Sequence, residues 1–574
     1  MRLPTRAKDL TDLAVHLVED CSVSMGQRQA AYRQYGQWIE TGRNAGSLSI
    51  ANLMYGHLDR TASHLFSPSE LRSAISFERL YGQIWQDKGA AVARVISNEW
   101  ETHNIDLLFA RGVREALGYG AYLLKQLGGM DKKGKPIFRG ARLVPPWRFG
   151  VYNEALNMLD EQEAMLETCY LNRHEVWRRV RNLPDAEKLY KRIMGSSQKA
   201  AGLATPTSFM HQVLSTAVLN TSLQNMTQPQ PGGIVQLTND PNFALLGPVV
   251  APELFAMHEL YVQDDDRAGD WTTIQLIEPD ILIAPAPLAG GGTLKHCDLF
   301  APEVNPYTLI QLNDVQDYLW GRSEITDLMM LQDWLTTHLD DIKRMVGLQI
   351  DKIMGFEGVD AITDEIYAQM TRVPGTVTVP QGGKFHDLTP QISPELASTI
   401  VELILKLMDR ASGFPPTVAG YGEQGVRAGV HADTLVKTGS PRLRDRSLIA
   451  ERQCNQALDT TLSFFEAKDA RAYWTDPEIG TTDFMINQLH EDRRIHVDSH
   501  SSSPIYHDDH AQLLAWGVKA GIVDGQSAIE ELPFSHKDVL IARWKQKQEF
   551  ERKLLEQYGP EVLTGHRSSS HRAA

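Results

Sequence analysis

Apolar side chains recur at three- and four-residue spacing through most of the first two hundred residues, the period of an amphipathic helix. Leu13, Leu17 and the run from Gln27 to Ile39 follow it. A longer segment, about Trp85 to Leu127, predicts one helix that ends at Gly128-Gly129. In SPSELRSAI, Ser67 or Ser69 is placed to cap a helix, with Pro68 suited to its first turn. Lys132 to Lys135 reads as a polar hairpin before the apolar run Ala141 to Trp147. From about Gly232 to Leu312 the period shortens. GIVQL, WTTIQLI, DILIAPAPL and YTLIQL alternate with Pro, Gly and Asp, as strands between turns do. Asp264-Asp265-Asp266 begins one of those turns; the spaced ligands and closing glutamate of a calcium loop are missing.

Helical patterning returns at Ser323 and runs to about Gln349. Ile325, Leu328, Leu331, Leu335, Leu339, Ile342 and Val346 form one stripe, on a helix roughly 40 Å long. A compact segment follows, Asp351 to Pro390, with the strand-like VPGTVTVPQGGKFHDLTP. A second helix spans about Pro394 to Ala411, with Ser393 as cap and Glu395 in its first turn. It stops at Gly413, ahead of Pro415-Pro416. A Gly-rich loop, Gly413 to Val430, leads into a helical stretch from His431 to Ala467. There Gly439 and Pro441 predict a kink or break. The last hundred residues hold a few strands, then helices near His507 to Ala520, Gly525 to Leu532 and Ser535 to Tyr558. The pattern predicts an α+β, mostly helical protein.

Charge narrows the choice of partners. With 57 basic against 72 acidic residues the formal charge is -15. Tight duplex binding by the whole surface is disfavoured, because such binding rests on neutralising phosphates. Cys21, Cys169, Cys297 and Cys454 are far apart without a CxxC, and read as buried small hydrophobes rather than a disulfide framework or zinc site. No run approaches the roughly 18 apolar residues of a membrane span, and the first residues lack a signal-peptide core. The expectation is a soluble protein made in a cytoplasm.

Candidate chemistry is sparse. Gly420, Gly422 and Gly425 spell GxGxxG, but a helix end and Pro415-Pro416 precede them where a dinucleotide site needs a strand. No GxxxxGK[ST] and no GxSxG is present. His507-Asp508-Asp509-His510 resembles a ligand cluster, yet the acids suit a helix start, and His496 and His500 form no HExxH-like pair. Arg442, Arg444, Arg446 and Arg452 cluster on one helix, either as a solvated or subunit-pairing face or as phosphate contacts. The expectation is a protein that is not an enzyme, with no catalytic, cofactor or metal residue.

Four segments together carry a resemblance: DYLWGRSEITDLMMLQDWL at Asp317 to Leu335, VPGTVTVPQGGKFHDLTP at Val373 to Pro390, ASGFPPTVAGYGEQGVRAGVHADTLV at Ala411 to Val436, and SPRLRDRSLIAERQ at Ser440 to Gln453. In this order the chain resembles the portal proteins of tailed bacteriophages, the head-to-tail connector family. ANLMYGHLDRTASHLFSP is similar to the start of their outer domain, and VDSHSSSPIYHDDHAQLLAWGVKAGIVDG to the start of their crown.

The resemblance implies a ring-forming fold. Residues 1–321 would be the wing, β-rich from about 232; 322–350 and 391–412 the two stem helices; 351–390 the clip. Residues 413–430 would be a tunnel loop, 431–505 the kinked helix and the rest of the wing, and 506–574 the crown. The implied function is a dodecameric ring at the special capsid vertex, a channel for genome packaging and ejection. Implied partners are further copies of the chain, major capsid and scaffolding proteins, the terminase large subunit, then neck or adaptor proteins. Double-stranded DNA would pass non-specifically, without a membrane or cofactor. Twelve copies would carry roughly -180 formal charges, a wall that repels phosphates. Lys406, Arg410, Arg427 and Lys437 could offset it locally, while Gly420, Gly422, Gly425 and Gly429 would let the loop swing. Phe356, Lys384, Phe385 and His386 are the clip residues expected to meet partners.

Two competing readings stand beside this one. Another phage head–tail structural protein, a capsid or adaptor subunit, would be much shorter or lack the pair of long helices. A nucleotide-dependent enzyme on the GYGEQG loop would bind nucleotide, which is expected to be absent. On the portal reading Arg427 either touches DNA in transit or bridges neighbouring subunits, and the first is testable. Arg427→Ala particles should then package more slowly or incompletely; full-length packaging at the normal rate would refute that contact.

Overall fold

The computed structural model describes residues 3–4, 6–42, 51–66, 68, 75–78, 83–130, 136–181, 183, 185–200, 255–264, 270–277, 281–284, 305–350, 354–357, 384–387, 394–412, 441–476, 480–489, 494–497, 514–520, 525, 528–529 and 537–558. Helices and several antiparallel sheets together make a mixed α+β protein. In chain order the first elements are α1 (Ala7–Thr41), α2 (Met54–Leu65), β1 (Ile75–Glu78), α3 (Gln83–Thr102) and α4 (Ile105–Tyr119). Next come β2 (Ala121–Met130), β3 (Pro136–Val144), β4 (Phe149–Val151), β5 (Ala164–Leu171), α5 (Arg173–Val180) and α6 (Ala186–Ala200). Strands β6 (Phe255–Asp264), β7 (Asp270–Ile277), β8 (Ile281–Ala284) and β9 (Tyr307–Gln311) precede α7 (Ile325–Ile350). Then follow β10 (Met354–Glu357), β11 (Lys384–Asp387), α8 (Pro394–Ser412), α9 (Pro441–Ala467), β12 (Arg471–Asp476), β13 (Gly480–Met485), β14 (Arg494–Val497) and α10 (Lys537–Tyr558). Among the described residues no helix is long and apolar enough to cross a membrane.

Two sheets carry the first half of the chain. One has five strands in the order β4-β5-β6-β7-β8, the other three in the order β3-β2-β9. Helix α1 lays Leu10, Ala14, Leu17 and Cys21 on Leu166, Leu260 and Ile274 of the larger sheet. The approach is so close that a β-carbon on Gly150 would collide with the Cys21 carbonyl. Between the sheets, Leu123, Val144, Phe149, Met165, Trp271, Tyr307 and Trp320 form a separate core. Arg28 of α1 closes its edge, 3.9 Å over the Trp320 ring and 2.9 Å from Glu154.

The largest core gathers α2, α3, α4 and α9 with the other face of the small sheet. Ile325, Leu328 and Leu335 of α7 and Ile404 and Met408 of α8 belong to it, so both helices are rooted in the body. At the start of α7, Ser323 Oγ accepts from Ile325 N–H and donates to the Gly118 carbonyl, 3.2 and 2.5 Å. The fully buried Gln332 donates to Ala51 O and accepts from Leu53 N–H, at 2.7 and 3.2 Å. Glu324 and Arg446 pair at 3.2 Å beneath the root, with His57 3.4 Å away. Further out the stripe loses cover. Leu331, Leu339 and Ile342 are half-buried and Val346 is exposed.

Several expectations need correction. The segment predicted as one helix from Trp85 to Leu127 is two helices and a strand, with Gly128 and Gly129 inside β2. Gly120, at φ +94°, ends α4; a side chain there would meet the Trp320 carbonyl at 2.8 Å. The first two hundred residues therefore hold sheet as well as helix. At Pro441, where a kink or break is expected, α9 begins; residues 413–440 lie outside the described residues. The strand expected at GIVQL, the capping candidates Ser67 and Ser69, Ser393 and Cys297 lie outside the described residues. Cys21, Cys169 and Cys454 are buried and form no disulfide among the described residues.

One half-buried acid gives the fold a pH dependence. Glu40, at the end of α1, has a carboxylate oxygen without a hydrogen-bond partner. Burial, then the nearby Glu115 carboxylate, raises it from 4.5 to about 7. A carboxyl with its folded pKa above its unfolded value is without penalty while protonated in both states. It loses stability as pH climbs through that interval. Glu40→Gln should therefore unfold at a higher temperature than the wild type at pH 8 and at nearly the same temperature at pH 4.5, measured by thermal melts.

Candidate functional site

The residues expected to matter on and between helices α7 and α8, and after them, divide by location. Lys406 and Arg410 sit one turn apart on the exposed side of α8; Lys406 lies 3.7 Å from Glu402, a solvated contact of little energetic weight. Phe356, Lys384, Phe385 and His386 meet on one antiparallel pair, β10 with β11, in which Phe356 faces Phe385 and Glu357 faces Lys384. His386 Nε2 lies 3.1 Å from Glu357 Oε2. Arg427, Lys437, Gly420, Gly422, Gly425 and Gly429 lie outside the described residues, as do His507 to His510. Arg446, grouped with Arg442, Arg444 and Arg452 as a possible phosphate face, is instead buried against Glu324 and Asn313. That guanidinium is a structural cation.

A denser constellation lies where the two large sheets meet. Three strands each carry one charge inside an apolar run: Lys125 in AYLLKQL, Glu167 in AMLETCYL, Glu259 in FAMHELYV. Glu167 and Glu259 stand opposite each other across β5 and β6. Two facing buried carboxylates repel, and Lys125 enters from β2 to separate them. Its ammonium lies 2.8 Å from Glu167 and 2.9 Å from Glu259, and all three side chains are almost fully buried. Tyr307 donates to Glu167 at 2.7 Å and Tyr261 to Glu259 at 3.1 Å. Arg142, on β3, adds a 2.6 Å contact to Glu167.

The electrostatics follow from this packing. Burial alone would push Glu167 up, but the Lys125 ammonium and then the Arg142 guanidinium hold it below the usual carboxylate range. Burial disfavours charge on Lys125, yet Glu259 and Glu167 overcome it and raise its pKa. Both phenols are pushed up, chiefly by burial and the neighbouring carboxylates, so they serve as hydrogen-bond donors. Burial and Glu167 raise the Cys169 thiol to about 11. Glu167, Cys169 and Glu259 place three potential ligand atoms within 4.8 Å of one another. Lys125 already supplies the cation this set would attract, and the thiol keeps its proton at neutral pH. The group clamps two sheets together rather than offering a metal site.

Above the cluster opens a cavity of about 750 Å³, lined from β2, β3, β5, α5, β6 and β7. Arg139, Arg142, Arg148, Arg178 and Arg179 all face it. The sequence pattern does not single them out, because the five are spread over β3, α5 and the turn between β3 and β4. The available signal was the set of lone charges within apolar strands. The chain matches no model of a known protein family, and no curated protein is significantly similar to it.

The clamp predicts a pH-dependent defect. Lys125→Met leaves two carboxylates facing each other in the interior, which should cost ~3–5 kcal/mol at pH 7.5. At pH 5 the deficit should shrink, because one of the pair takes up a proton. Urea unfolding at both pH values measures it.

Proposed function

We propose that this chain is a portal protein of a tailed bacteriophage, one subunit of a ring at the capsid vertex through which DNA enters and leaves. One observation carries the reading. Helices α7 and α8 pack together, are rooted in the main core at Ile325–Leu335 and Ile404–Met408, and are joined at their far ends by the β10–β11 pair. A long helix, a small β tip and a returning helix, followed by a third helix across the body, is the order the sequence resemblance leads one to expect of stem, clip and wing.

Exposure along the pair supports the same reading. Met330 is 82% exposed, and Trp334, Val346 and Leu403 are also exposed. Apolar side chains in that density on two adjacent helices are poorly suited to water and well suited to the flank of a second copy. In a ring each subunit would cover its neighbour's stem, and the outward β tips would form the end that meets the terminase and later the neck proteins. Body residues would then form the wing. The motor ATPase would be a separate protein, and the role of this chain would be geometric: to hold a channel and dock partners in turn.

Negative-stain electron microscopy and sedimentation velocity of the purified protein test this directly. Rings with a central hole are expected; a monodisperse monomer under all conditions that keep the protein folded would overturn the proposal. Met330→Asp, on the exposed side of α7, should abolish rings while the circular dichroism spectrum and melting temperature stay close to the wild type.

A further inference from the structure

The cavity above the Lys125 clamp carries more positive charge than the clamp uses. Six basic side chains line it against three carboxylates, in a chain whose overall charge is -15. Two of those carboxylates, Glu167 and Glu259, are engaged by Lys125 and Arg142. The third, Glu175, accepts from the Asn172 N–H at 2.9 Å in the capping box that starts α5. Arg148, Arg178 and Arg179 are left without a carboxylate partner among the described residues. Arg179 reaches only the neutral Gln275, at 3.2 Å. Arg148 lies 5.2 Å over the Tyr170 ring, and its Nε is buried without an acceptor; the Nε of Arg142 is in the same condition.

Three guanidinium groups without a carboxylate line one cavity wall and repel one another, so an anion between them would be stabilised. From this arrangement we infer that the cavity is a binding site for a phosphate group, as a free phosphate or pyrophosphate or as part of a nucleic-acid strand. Arginine forks match phosphate oxygens, and one phosphate can accept from several arginines at once. A carboxylate offers two oxygens, enough for a single fork. The wall also provides Tyr170, Leu143 and Met257, apolar surface for whatever the phosphate is attached to. The inference does not depend on ring assembly, so a monomer and a ring test it equally.

The experiment is titration calorimetry on the full-length protein in phosphate-free, low-salt buffer, with inorganic phosphate and pyrophosphate. Fluorescence anisotropy with a labelled twelve-nucleotide DNA strand forms the second arm. Saturable binding at about one site per chain is expected, weakening at least tenfold in Arg148→Gln and in the Arg178→Gln/Arg179→Gln double variant. The last two side chains are exposed, so that variant should fold normally. Arg344→Gln, on the exposed side of α7, should bind like the wild type. Tighter binding of DNA than of pyrophosphate would identify a strand as the source, and the reverse a free phosphate; either supports the inference. It is overturned if no phosphate probe binds saturably, or if the control variant loses affinity as much as the cavity variants. Tighter binding of a polyglutamate peptide than of pyrophosphate would also overturn it.

Discussion

The Lys125 ammonium, held between Glu167 and Glu259, is the contact on which the body of the molecule depends. Taking three charges out of water is expensive, and the geometry answers that cost with two ion pairs, two phenol hydrogen bonds and a nearby guanidinium. An apolar triad of the same volume could hold the sheets at least as strongly. What the charges add is register. A shift of β6 against β5 by one residue would turn Glu259 to the opposite face and leave Glu167 and Lys125 without it. The position of the small sheet against the large one is set by Lys125 of β2 together with Arg142 of β3 and Tyr307 of β9, which both reach Glu167.

A second polar chain sets the helices on the other face of the small sheet. Trp100 donates to Thr461 at 3.0 Å, Thr461 donates to Gln126, and Gln126 donates to the Ala457 carbonyl. Gln126 lies next to Lys125 in β2, so adjacent residues of one strand point to opposite layers, as the strand period requires. One strand thus carries the alignment of α3 and α9 on one side and of the large sheet on the other. A bulge between Gln126 and Gly128 falls just past these two residues, where pairing with β3 shifts by one position.

The stem-like helices were legible because their apolar positions repeat at helical spacing for several turns between clear stops. Pro394 and Ser412 end α8 within a residue or two of where proline and glycine place its limits. Strand β2 was not legible, since ALGYGAYLLKQL keeps a near-helical apolar period across Gly120. The Trp320 and Gly321 carbonyls, about two hundred residues away in sequence, pack against that glycine and leave no room for a side chain at the turn. Pro441 is ambiguous for a local reason: its fixed φ fits either a kink or a first turn, and the neighbouring glycine serves both. The arginine cavity was out of reach for sequence reasoning, as its walls come from residues 125 to 275 folded over one another. The portal reading itself rests on the order of segments, which the helix pair and its β tip support.

The rooting of α7 has a mechanical consequence. Its first three turns are fixed by Ser323, Gln332 and the core, while its last three have apolar positions with little to rest on within one chain. That leaves the free part of α7 as a cantilever about 22 Å long, clamped at one end. A tilt of about 8° at the clamp displaces the free end by roughly 3 Å, close to the spacing of successive residues along a strand. Small repacking around Glu324 and Arg446 would therefore be magnified into a shift at β10 and β11 large enough to change which backbone groups a partner meets.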